Sequence, residues 1–338
     1  MPTLAAYGWD EDWAARFAEV APPGAGPGRV LRHDSSELLV AEPGGVRHLP
    51  MAPGVPLAVG DWVVVVDGAV SGPLPRSSLL RRGDASGDRE QLLAANLDLL
   101  VVVAGLDRPV KAGRLQRAVT LAWDAGAVPL VVLTKSDLAD DPSAACATAR
   151  AAIPGVEVMA VSVATHDGVE QLHGAIAGRT VVLLGESGAG KSTLANAIVG
   201  AQVTTTGVVR VGDNKGRHTT TFRQLHLLPG GGALIDTPGI RGVALWVDPA
   251  AVDATFADLG DLAGACRFGD CRHDREPGCA LQAAIAKGSV DRTRLDAWDQ
   301  MHREVAGAVL RADEHARRQA GGRSPRTSKD GQRRKGRR

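Results

Sequence analysis

The chain carries Gly185-Glu-Ser-Gly-Ala-Gly190-Lys191-Ser192, which fits the spacing G-x-x-x-x-G-K-[ST]. Glycines at these positions let consecutive backbone N–H groups turn onto phosphate oxygens. An apolar run, Thr180–Leu184, enters the loop, and a helix-forming stretch, Ser192–Val199, leaves it. A helix that starts there adds the positive end of its dipole. Lys191 is expected at the β- and γ-phosphates and the Ser192 hydroxyl on Mg²⁺, with Glu186, Ser187, Gly188, Ala189 and Thr193 completing the cradle.

Three further segments bear on the nucleotide. Leu234-Ile-Asp236-Thr-Pro-Gly239 reads as a strand ending in an acid and a tight turn. Asp236 is placed to hold the Mg²⁺ hydration shell, and the Gly239 N–H to sense the γ-phosphate. Between the two motifs lies polar Gly216-Arg-His-Thr-Thr-Thr221, where a threonine hydroxyl, Thr220 in this reading, closes on the metal. Thr134-Lys135-Ser136-Asp137, at the end of the apolar run Val131–Leu133, resembles the guanine-reading motif of GTPases, usually Asn-Lys-x-Asp. The Asp137 carboxylate can accept from the guanine N1–H and exocyclic amine, a pairing adenine does not offer. The Lys135 stem can cover the base, and Thr134 keeps a hydroxyl where the motif usually has an amide. Ser162 resembles the companion loop whose backbone contacts guanine O6. In ordinary GTPases the base-reading loop follows the phosphate loop, whereas here Asp137 precedes Lys191. The sequence thus resembles a circularly permuted GTPase, a reordering that nearby termini allow.

Cys266-x4-Cys271-x-His273-x5-Cys279 gathers three thiols and one imidazole, a set that satisfies tetrahedral Zn²⁺ with no open position. That describes a structural site. Cys146 stands alone and reads as a small core or surface residue. Arg267, Arg272 and Arg275 lie among the ligands, either solvated or facing phosphate.

These residues need elements to position them. The chain has 338 residues, 44% hydrophobic, enough for real cores in two or three domains. Aromatics are 3%, which disfavours a large aromatic binding platform. No apolar run approaches the ~18 residues of a membrane span. The N-terminus, with Asp10, Glu11 and Asp12, does not read as a secretory signal, so a cytoplasmic protein with free or metal-bound thiols is expected. Residues 1–27 form an extension with a short amphipathic stretch, Trp9–Val20, ending in linker chemistry. Residues 28–90 alternate short β-type runs with turns, suiting a small closed barrel such as an OB-fold or a fragment of a sandwich. Residues 91–247 alternate buried apolar runs with helical stretches, the pattern of a parallel sheet covered by helices. Residues 248–312 read as a helical module around the Cys/His cluster, and 313–338 as a basic disordered tail. From Arg317 to Arg338 ten Lys/Arg face one acid, although the whole chain is only +1. Such a tail is either solubilising or seeks a polyanion. No heptad seam is apparent, so a monomer is expected.

A small β-barrel, a permuted GTPase and a Cys/His module, in that order, resemble the RsgA (YjeQ) family of ribosome-small-subunit-dependent GTPases over about residues 28–310. The resemblance rests on GESGAGKS, DTPG, TKSD, GRHTTT and the Cys/His cluster, with RRGDASG and EQLLAANLD similar to the family's link from barrel to GTPase. It implies late maturation of the small ribosomal subunit, GTP hydrolysis stimulated by that subunit, and rRNA contacts from barrel and zinc module. Ile240 follows Gly239 where many GTPases place a water-orienting Gln. His218, beside the candidate metal-ligand threonine, is the candidate replacement, and the resemblance also points there; a solvent-facing loop histidine is the plainer alternative. Slow intrinsic turnover follows, accelerated by a docked RNA–protein particle. The alternatives are an rRNA-binding scaffold in which GTP sets conformation and, more remotely, a P-loop ATPase or kinase. A zinc-finger transcription factor is disfavoured, since no finger repeats.

Overall fold

The structure is a computed structural model that describes residues 3–34, 37–83, 90–203, 223–236 and 247–321. A 3₁₀ turn (Leu4–Tyr7) and α1 (Glu11–Val20) open the chain. Asp10 caps α1 by accepting from the Trp13 N–H. Trp9 and Trp13 pack on the buried ring of Trp62 at centroid distances of 5.0 and 5.8 Å.

Five strands follow: β1 (Gly26–His33), β2 (Glu37–Glu42), β3 (Gly45–Pro50), β4 (Trp62–Val66) and β5 (Ala69–Pro73). They pair antiparallel in the order β3-β2-β1-β4-β5, and an isolated bridge joins Met51, just past β3, to Val70 in β5. Val30, Leu38, Val40, Leu49, Val63, Val65 and Val70 form their own core. The hairpin β6 (Leu79–Gly83) and β7 (Glu90–Ala95) leads onward as a separate two-stranded sheet.

The central part runs β8 (Leu99–Gly105), α2 (Ala112–Asp124), β9 (Val128–Thr134), α3 (Pro142–Ala152), β10 (Glu157–Val161), α4 (Val169–Ile176), β11 (Thr180–Gly185), α5 (Lys191–Val199), β12 (Gln224–Leu227) and β13 (Ala233–Asp236). The sheet order is β10-β9-β8-β11-β13-β12, parallel except for antiparallel β12. The apolar runs are buried on both faces because successive side chains alternate across a sheet. Leu100 and Val102 of β8 join Leu115, Val119 and Ala122 of α2 in one core. Leu99, Val101 and Val103 join Leu172 and Ile176 of α4 and Leu194 and Ile198 of α5 in another. The strand that enters the phosphate loop, β11, lies between β8 and β13, although β9 and β10 separate it from β8 in sequence.

The two sheets are continuous: β1 pairs with β12 through Arg32 and Gln224. Arg29, almost wholly buried, donates to Thr180 Oγ1 (2.9 Å), at the start of β11, and its guanidinium lies over the Trp62 ring. Burial lowers its pKa to about 10, opposed by Asp98 and Asp61.

The C-terminal part holds α6 (Pro249–Thr255), α7 (Ala257–Gly264), α8 (Ala280–Ala286) and α9 (Arg292–Gly321). Here the structure differs from the sequence reading, which begins an unstructured tail at residue 313: α9 runs to Gly321. Residues 311–320, RADEHARRQA, are mostly strong helix formers, and the Gly-Gly pair 321–322 is a natural stop. The tail beyond, 322–338, lies outside the described residues. Among the described residues no helix is long and apolar enough to cross a membrane.

Candidate nucleotide and metal sites

Parallel pairing puts the C-terminal ends of β8, β9, β10, β11 and β13 at one edge of the sheet. Loops beyond the carboxyl ends of such strands are where open α/β sheets bind ligands. Gly105 is in register with Thr134, and Thr134 with Val161. The phosphate loop starts two residues short of the same line, with Gly185 opposite Val103.

The loop packs tightly against its neighbours. A Cβ on Gly185 would come within 2.2 Å of the Val103 carbonyl oxygen. Gly190 has φ +88°, and a Cβ there would meet Thr134 Oγ1 at 3.2 Å. Lys191, Ser192 and Thr193 form the first turn of α5. The Lys191 ammonium donates to the carbonyls of Gly185 (2.8 Å) and Glu186 (2.6 Å).

The base-reading candidate is bonded directly to this loop. Thr134 Oγ1 donates to the Ala189 carbonyl (2.5 Å), and Lys135 Nζ to the Gly188 carbonyl (2.8 Å). Lys135 adopts left-handed φ +57°, turning the chain sharply off β9 into the 3₁₀ turn Ser136–Leu138. Asp137 lies there, exposed. Ser162, fully buried just after β10, donates its hydroxyl to Asp137 Oδ1 (2.5 Å). The Ser162 N–H donates to the Asp167 carbonyl (2.9 Å). Asp236 ends β13; burial pushes its carboxyl up, and Lys191 opposes that shift. Ser192 and Asp236 offer only oxygen donors, as a hard cation such as Mg²⁺ requires. His218, Thr220 and Gly239 lie outside the described residues.

Three residues near the loop belong to none of the motifs. Asp107, in the loop after β8, accepts from Lys135 Nζ (2.9 Å). Arg108 Nη2 donates to the Ser187 carbonyl (3.2 Å), and Arg114 pairs with Glu186. A cavity of about 340 Å³ lies beside them, lined by Arg108, Lys111, Arg114, Leu115 and Glu186. The available signal was a charged pair, Asp107-Arg108, immediately after a buried parallel strand.

A second constellation lies between α7 and α8. The ligand atoms of Cys266, Cys271, His273 and Cys279 all fall within 4.8 Å of one another. Cys266 Sγ and Cys279 Sγ are 3.9 Å apart, and each is 3.6 Å from His273 Nδ1. A tetrahedron with bonds of about 2.1–2.3 Å has edges of about 3.4–3.8 Å. The four donors therefore fit a single metal ion such as zinc and leave no side for substrate. His273, at φ +60°, stacks on Trp298 of α9.

Comparison with known proteins gives a consistent picture. A family model described as RsgA GTPase matches residues 73–246. The chain is 45% identical over 328 residues to the small ribosomal subunit biogenesis GTPase RsgA of Streptomyces coelicolor, covering 93% of this chain and 90% of the relative. It is 40% identical to the protein of the same name from Opitutus terrae, with 92% of each covered. The fold is similar to that of YjeQ from Thermotoga maritima (TM-score 0.63, 24% identity, covering 84% of this chain and 99% of that one). It is also similar to YloQ, described as a circularly permuted GTPase (TM-score 0.61, 20% identity, covering 84% and 96%).

Proposed function

Because the chain belongs to the RsgA GTPase family, we propose that it hydrolyses GTP to GDP and phosphate in small ribosomal subunit biogenesis, in the cytoplasm, and is stimulated by that subunit. The observation that carries this reading is the direct bonding of Thr134 and Lys135 to the phosphate loop. Two motifs in inverted sequence order thereby serve one nucleotide. Asp137 reads the guanine, Lys135 covers it, and Ser162 holds the Asp137 carboxylate in line. The backbone of Gly185–Gly190 cradles the phosphates, with Lys191 at the β- and γ-phosphates. Ser192, with Thr220 and the shell around Asp236, would hold Mg²⁺; when bound, that ion neutralises charge on the β- and γ-oxygens. Gly239 senses the γ-phosphate, and His218 orients the attacking water.

Stimulation by the subunit has a physical route. On α2, Arg114 pairs with Glu186 of the phosphate loop. One turn on, Arg117 makes a two-pronged ion pair with Glu304 of α9, both contacts 2.5 Å, and Thr120 bonds Thr255 of α6 at 2.8 Å. Cys266, Cys271, His273 and Cys279 would hold one structural Zn²⁺ in the module that α9 completes. The β1–β5 unit, with its Met51–Val70 bridge, is read as a closed OB-like barrel that contacts rRNA together with the zinc module.

Two measurements test this. GTP turnover by the full chain is expected to be slow alone and to rise on adding purified small subunits. Stimulation should fall steeply as salt is raised, because phosphate contacts release counterions. Full-speed hydrolysis alone, unchanged by subunits, would overturn the stimulated mechanism. Metal analysis is expected to find one zinc per chain, lost on thiol modification together with protection of α8 and α9 from hydrogen exchange. Protein free of zinc with α8 and α9 equally protected would remove the structural metal.

A further inference from the structure

Five consecutive carbonyls of the phosphate loop are each held by a side chain. Lys191 takes Gly185 and Glu186, Arg108 takes Ser187, Lys135 takes Gly188, and Thr134 takes Ala189. Four of the five go to residues of the two nucleotide motifs. The fifth, Ser187, goes to a residue that belongs to neither.

The geometry points to Arg108 as a positioning residue for hydrolysis, acting with Asp107 through the Ser187–Gly188 peptide. This rests on the reading of the site as a GTP hydrolase. In a planar trans peptide the C=O and the following N–H point in opposite directions. A donor that holds the Ser187 oxygen on one side therefore turns the Gly188 N–H to the other. At other peptides of the loop the same logic turns amides toward phosphate oxygens, while the Ala189 N–H stays within the loop, donating to the Glu186 carbonyl (3.2 Å). Such fixed dipoles accelerate phosphoryl transfer because they need no reorganisation as charge develops.

Asp107 supplies the second half of the device. Its carboxylate lies 2.9 Å from Lys135 Nζ and 3.8 Å from Arg108 Nε. One acid thus orients two cations onto the adjacent carbonyls of Ser187 and Gly188. Arginine suits the place, because its rigid fork turns Nε to the acid while Nη2 reaches the loop; a lysine has one nitrogen for both tasks. The Arg108 side chain is 45% exposed and that of Asp107 33%. The pair therefore sits on the surface, outside the cores that hold the fold.

The test uses the full chain with Arg108→Met and Arg108→Lys, each assayed beside the unmodified protein with and without small subunits. Methionine keeps an unbranched apolar stem and removes the donors. The expected result for Arg108→Met is a kcat lowered about tenfold, below the 10²–10³ of losing a donor that touches the transition state directly. KM for GTP stays within threefold, GDP affinity is unchanged, and so is the melting temperature. Arg108→Lys recovers only part of the loss. A kcat within twofold of the unmodified protein in both variants overturns the proposal. So does a fall in kcat accompanied by matching losses in GDP affinity and melting temperature, which would mark a merely structural contact. Absence of GTP hydrolysis by the unmodified protein would instead overturn the GTPase reading itself.

Discussion

Asp137→Asn is expected to reduce the preference for GTP over ATP by about 10⁴-fold, the scale on which a site built to bond a polar group rejects a partner lacking it. At about 1.4 kcal/mol per tenfold, that is about 5–6 kcal/mol. The carboxylate is exposed, so the bound base is what desolvates it. Guanine meets the carboxylate with two donors, N1–H and the exocyclic amine. Adenine presents no N1–H and leaves the covered charge unpaired, the costly case. An asparagine carries an NH₂ where one acceptor oxygen stood, and that NH₂ faces the guanine amine donor to donor. Xanthine has a carbonyl at that ring position, so the variant should gain affinity for xanthosine triphosphate as it loses GTP. Competition binding with GTP, ATP and xanthosine triphosphate checks this. Retention of full guanine preference would remove Asp137 from base recognition. The Ser162 bond takes one acceptor site of Asp137 Oδ1, and each carboxylate oxygen has two, so both oxygens can still meet the base.

The contrast between Lys191 and Arg108 shows what a sequence can disclose about such a site. Lys191 belongs to eight contiguous residues whose spacing encodes a strand, a turn and a helix N-terminus, so its place follows from local chemistry. Arg108 reaches Ser187 across 79 residues of chain, only because β8 pairs with β11. That adjacency is a property of sheet order, which apolar runs do not specify. The unbroken apolar run in LLVVVAG marks a strand buried on both faces but not its neighbours. Ser162 illustrates the same limit at smaller scale. Its position after an apolar strand was legible, whereas its hydroxyl bond to Asp137, 25 residues away, depends on β10 lying beside β9.

The join between the two sheets was illegible for another reason. β1 meets β12 through one register pair, Arg32 and Gln224. Edge strands pair through backbone groups that every residue carries, so neither side chain announces the contact. Buried Arg29 strengthens the join, reaching from β1 to Thr180 where β11 begins. An isolated arginine in a β-type run gives no warning of burial, because arginine is seldom buried without partners. The Cys/His cluster was legible because its four ligands lie within fourteen residues. How α9 docks on α2 was not, since Glu304 and its partner Arg117 are 187 residues apart.

Lys191→Ala is expected to lower kcat by about 10²–10³-fold at saturating GTP, comparable to removing a donor aimed at developing transition-state charge. The ammonium bridges the first two carbonyls of the loop, at 2.8 and 2.6 Å. Those contacts hold it at the mouth of the cradle, where exchanging carbonyl for phosphate oxygens needs no rearrangement of the fold. It is also the charge that opposes the upward push of burial on the Asp236 carboxyl. Its loss therefore removes a phosphate ligand and makes a negative Asp236 beside the triphosphate more costly. Turnover and release from small subunits should be measured on the same preparation. In an enzyme that uses hydrolysis to leave the particle, the variant docks with GTP and stays. In a scaffold that GTP only holds in shape, it docks and departs as before despite slow hydrolysis. A kcat within threefold of the unmodified protein would sink both the role of Lys191 and the proposal that this loop holds the phosphates.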